Sequence, residues 1–131
     1  MTSMNGKLLF LTAAIVALFA VSAPMLAHHG AAAAFDTGKS IKVKGTIADF
    51  QFSNPHVLVF VDCKDDKGEI IQWQGELTAP TKLARAGWSK HTLKPGDTVT
   101  VGGYPAKSGA HNIWIRELIG PDGTSLPLFE E

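Results

Sequence analysis

From Ile41 the chain alternates strictly, with Ile41, Val43, Gly45 and Ile47 interleaved by Lys42, Lys44 and Thr46. A period of two sends successive side chains to opposite faces, so this segment is a strand with one face buried and one in water. Phe50 and Phe52 fall on the other parity. A bulge near Ala48 and Asp49 would return them to the buried face, as happens where a long strand bends around a small barrel.

The same reading continues along the chain. Ser53-Asn54-Pro55 breaks the first strand, because Pro55 fixes its own φ, lacks a donor and biases Asn54 away from helix. Residues 56–63 are β-branched and apolar on both parities, which predicts a central second strand. Asp65-Asp66-Lys67-Gly68 predicts a hairpin turn with Gly68 at positive φ, and residues 69–77 a third strand. Residues 78–87 predict the one helix, with Thr78 as N-cap, Pro80 in the first turn and Gly87 as terminator. Leu93-Lys94-Pro95-Gly96-Asp97 is a tight turn into a fourth strand at 98–104, and residues 112–119 form a fifth. Five strands with one short helix between the third and fourth follow the order of the OB-fold, a Greek-key barrel; a small β-sandwich or open β-roll is the alternative. The expected organisation is an arm at 28–39, the barrel at 40–120 and a C-terminal tail or edge strand at 121–131.

Ahead of this lies an apolar run, residues 8–21, interrupted only by Thr12 and preceded by Lys7. At about 14 residues it suits a secretory signal and falls short of the roughly 20 a spanning helix needs. Pro24 obstructs cleavage after Ala23, so cleavage is expected after Ala27, giving a mature chain that begins His28-His29-Gly30. The expected location is therefore periplasmic or secreted, with no membrane span after cleavage.

Loss of residues 1–27 removes Lys7 and no acid, leaving 11 basic and 12 acidic residues. That balance lacks the basic stripe that phosphate neutralisation requires, and argues against nucleic acid as a partner. Cys63 is the single cysteine, so no intrachain disulfide is available even in an oxidising compartment. Its plainest role is that of a small buried apolar residue.

Ala27-His28-His29-Gly30 with Phe35-Asp36, Gly45-Thr46-Ile47, Ser53-Asn54-Pro55-His56-Val57, Arg85-Ala86-Gly87-Trp88 and the run from Leu93 to Val101 resemble a family of small exported bacterial proteins of unknown function. The resemblance runs through nearly the whole mature chain and implies export and a compact OB-like domain. It carries no known activity. A looser similarity, of architecture alone, is to bacterial periplasmic OB-fold stress proteins.

Two residue sets carry candidate chemistry. Cleavage before His28 would put a free α-amine on a residue that also bears an imidazole, a two-nitrogen chelator for Cu(II) or another transition metal. His29, His56 and His111 are the further candidate ligands, with His56 ranked first as the third nitrogen because the Asn54-Pro55 turn would fix its direction. The competing reading makes His28 and His29 a solvated tail and His56 a hydrogen-bonding residue at a strand start. The second set is an aromatic ligand face of Trp73, Trp88, Tyr104 and Trp114, of the kind on which OB barrels stack sugars or bases; core packing is its competing reading. For catalysis there is little. Asp62, Asp65, Asp66 and Glu69 cluster at a turn where charges are ordinarily solvated, and no Gly-x-Ser-x-Gly elbow is present. The sequence thus reads as an exported, non-catalytic binding module. Copper binding and a role as adaptor for another exported protein are the alternatives.

Overall fold

The structure is a computed structural model that describes residues 30–128. The expected signal peptide, His28 and His29 lie outside the described residues. Five strands, β1 (Ile41–Gln51), β2 (Leu58–Lys64), β3 (Ile70–Glu76), β4 (Thr98–Pro105) and β5 (Asn112–Ile119), close into a barrel in the order β1-β2-β3-β5-β4. One-turn helix α1 (Ala31–Ala34) precedes them, and α2 (Pro80–Arg85) lies between β3 and β4. This is the OB order that the sequence predicts.

Closure depends on β1, which is long enough to serve two neighbours. Residues 41–46 pair with β4 and residues 46–51 with β2, so Thr46 faces both Thr98 and Asp62. The β1–β2 register shifts between Ile47 and Asp49. That bulge is the one the parity change demanded, and it brings Phe50 and Phe52 against the core beside Ile41 and Val43. The second closure is the parallel pairing of β3 with β5, limited to Gln74–Asn112, Gly75–Ile113 and Glu76–Trp114.

The core is apolar throughout. Val57, Val59, Val61, Val99, Val101, Ile47, Ile113 and Leu118 are all at most 2% exposed, and Leu83 of α2 joins them with Trp88 and Leu93. Glycines allow the close strand approaches. A Cβ on Gly103 would stand 2.0 Å from the carbonyl oxygen of Trp114, and one on Gly45 2.3 Å from that of Asp62, both far inside van der Waals contact.

The local signals hold in part. Gly68, Gly87 and Gly96 take positive φ as expected of turn and terminator residues, and Asp65 accepts hydrogen bonds from the backbone N–H groups of Lys67 and Glu69 to close the hairpin. The helix start is a correction: its N-cap is Ala79, with Pro80 at N1, and not Thr78. Thr78 is still part of the strand pairing, its carbonyl accepting from the Val57 N–H, so the chain is not free to turn until one residue later. β2 begins at Leu58, two residues after the predicted start. In β5 a second bulge, between Gly102 and Gly103 on the β4 side, sets Arg116 out of register, so that Ile113, Ile115 and Leu118 all reach the core.

Both ends of the described chain are tied down. Phe35 is buried and bridges to Ala106, while the Asp36 N–H donates to Pro105 and Lys107 donates to the carbonyls of Ala34 and Ala32. After β5, Ser125 bridges to Ile119, and the Trp88 indole donates to the Pro127 carbonyl at 2.7 Å. No helix among the described residues is long and apolar enough to cross a membrane.

Candidate functional site

On β5, Ile113 and Ile115 point into the core, so Trp114 between them points outward. An outward tryptophan would ordinarily be wet, yet Trp114 is only 7% exposed. Two rings cover it. Phe35, delivered by the N-terminal arm, lies 5.9 Å away, and His56 lies 5.6 Å away with its plane nearly perpendicular at 76°. Both are within the range of favourable edge and tilted aromatic packing.

His56 is held a second time by a hydrogen bond between Nδ1 and Oε1 of Glu76. Glu76 ends β3 and pairs with Trp114 across the parallel seam. A carboxylate offers only acceptors, so Nδ1 carries the proton, and the neutral ring keeps its lone pair on Nε2. The side chain is 39% exposed, leaving that edge of the ring within reach of solvent. An imidazole fixed by a carboxylate on one nitrogen and open at the other is the arrangement that orients a histidine as a metal ligand.

The remaining predicted residues have other surroundings. His111 is exposed, its ring centroid 4.8 Å from that of Trp73 with the planes tilted by 59°; Trp73 shares the parity of buried Gly75 and packs partly against the core. The two histidines therefore flank the same seam from opposite sides. Trp88 is a core residue, 4% exposed and near Phe50. Tyr104 pairs with Trp114 on the outer face, where the Arg116 guanidinium stands 5.7 Å above its ring, a cation–π distance. The four aromatics are thus divided between the core, its margin and the outer face. Among the described residues no group of three His, Cys, Asp or Glu side chains is arranged to hold a metal ion.

Sequence reasoning did not single out Glu76 or Phe35 as site residues. Glu76 was in principle legible from the hairpin: the turn at Asp65–Gly68 sets Leu58 opposite Glu76, which makes His56 and Glu76 diagonal neighbours on one face. Phe35 gave no such signal, because its contact depends on how the arm folds back.

A family described as "Family of unknown function (DUF6152)" matches residues 15–113, a span that includes the arm, β1 to β4 and every histidine considered above. Comparison with curated proteins gives no match.

Proposed function

We propose, for a chain that belongs to the DUF6152 family of unknown function, the role of an exported transition-metal-binding module that holds Cu(II) at the N-terminus of the mature protein. The signal peptide inferred from residues 8–27 would place the protein in the periplasm or outside the cell and expose the α-amine of His28. Amine and imidazole of His28 would give two nitrogens and Nε2 of His56 a third, a donor set suited to Cu(II).

The observation that carries this reading is the double fixation of His56 by Glu76 and Trp114. A second supports it. The arm is anchored on the same Trp114 ring through Phe35, and the three residues from Ala31 back to His28 can span at most about 11 Å. His111, on the other side of the seam, is the weaker candidate.

The test is a Cu(II) titration of exported protein whose N-terminal residue has been verified, read by electron paramagnetic resonance. One copper per chain with several coordinated nitrogens is expected, lost in His56→Ala and in His28→Ala but kept in His111→Ala. Glu76→Gln should weaken binding by about 10- to 100-fold, the usual cost of removing a ligand's outer partner. Binding that survives His56→Ala unchanged would remove the proposal.

A further inference from the structure

β1 and β2 part company beyond Thr46–Asp62: β1 continues along β4 and β2 along β3. A cavity of about 440 Å³ opens between them, within the range of small-molecule sites. Its apolar wall is formed by Val43, Cys63, Ile71 and Trp73, and its rim carries Lys44 and Lys64. The same two lysines line an adjoining cavity of about 430 Å³, together with Ile70, which at 64% is the exposed large hydrophobic residue of the described chain.

The opening is lined by Lys42, Lys44, Lys64, Asp62 and Asp65, and these charges are not all paired. Lys42 pairs with Glu117, Asp65 is occupied by backbone N–H groups of its turn, and Asp62 accepts from the Gln72 side chain. Lys44 and Lys64 are in no ion pair among the described residues. Two ammonium groups without an ion-pair partner beside an apolar wall can receive a small molecule with an anionic head and an apolar body.

We infer that the split between β1 and β2 binds a small monocarboxylate with an apolar tail, its carboxylate between Lys44 and Lys64 and its tail against Ile71 and Trp73. The site is independent of the metal reading: it shares no residue with His56, Glu76 or Trp114. The buried Cys63 thiol takes part only as wall, since burial, with Asp62 nearby, raises its pKa and keeps it uncharged.

The exported full-length protein, titrated with octanoate and separately with 1-octanol, tests this by calorimetry and by the indole N–H signals of the three tryptophans. Octanoate should bind more tightly than the alcohol, by up to about fivefold for each exposed lysine it engages, moving the Trp73 signal and leaving those of Trp88 and Trp114 in place. The exposed double variant Lys44→Gln/Lys64→Gln should bind the two compounds alike. 3-Phenylpropionate in a parallel titration distinguishes an aryl from an alkyl tail, and binding of either supports the site. A Trp73 signal unmoved by both acids at millimolar concentration, equal affinity for octanoate and octanol, or full octanoate binding by the double variant would overturn it.

Discussion

The β3–β5 seam and the β1–β2 split are the two places where the barrel's ladders run short, and they end in opposite ways. At the seam only three residue pairs join the strands, but the outer side chains find partners: His56 with Glu76, Trp114 with Phe35 and His56, Arg116 with Tyr104. At the split the strands part with Lys44 and Lys64 unpaired and an apolar wall only partly covered. What separates them is a third segment. The arm reaches the seam and brings Phe35, whereas no described segment crosses the split. A short ladder is therefore compatible with a closed surface when another part of the chain covers it, and with a cavity when none does.

The largest expected effect is beside the seam, at the β4–β5 bulge. Gly103→Ala forces a Cβ onto the Trp114 backbone, which cannot retreat without opening β4–β5, and should cost about 3 kcal/mol or more in denaturant unfolding. A loss below about 1 kcal/mol would mean that the β4–β5 ladder yields more readily than its geometry requires. Phe35→Ala comes next. Removing a buried ring should cost on the order of 3 kcal/mol and shift Trp114 emission to the red as the outer face becomes wet. An unshifted emission would show that the arm is not what dries the seam.

A smaller effect is expected at the apex of the split, where Thr46 faces both neighbours. There the Lys94–Asp97 turn is bonded to β1, the Ile47 N–H donating to Asp97 and the Gly96 N–H to Ile47. Hydrogen bonds from the Lys94 ammonium and backbone N–H hold the Asp97 carboxyl below its ordinary pKa of 3.8 against the opposing effect of burial. A carboxylate with a depressed folded-state pKa contributes stability that is present above its unfolded value, near 3.8, and is lost as pH falls through the lower folded one. Asp97→Asn should therefore lower stability at pH 7 and flatten its decline below about pH 4, seen in parallel urea titrations at both pH values. An unchanged acid limb would assign the decline to other carboxylates. The smallest effect belongs to Lys44→Gln/Lys64→Gln, which touches no partner and should change stability by less than about 0.5 kcal/mol. A larger destabilisation would show that these lysines support the fold and are not held open for a ligand.

The candidate metal site was only half legible before folding. His56 followed from its place beside the Asn54-Pro55 turn, but Glu76 became its partner through strand register, and Trp114 its packing surface through the parallel seam. The proposed ligand face of Trp73, Trp88, Tyr104 and Trp114 was less so: parity alone does not tell an aromatic that fills the core from one that lies on the outside and is covered later.

Alternation, turn residues and their order determined five strands, the helix between the third and fourth, the bulge in β1 and so the OB topology. These follow from interactions between near neighbours in the chain: side-chain period, proline and glycine geometry, and the burial of one face. Only the tertiary structure decided that β5 bulges at Arg116, that Thr78 extends the strand pairing, that the arm dries Trp114 and that the β1–β2 split stays open. Each of these depends on which distant segment arrives to satisfy a backbone group or cover an apolar face, and a local pattern holds no record of that arrival.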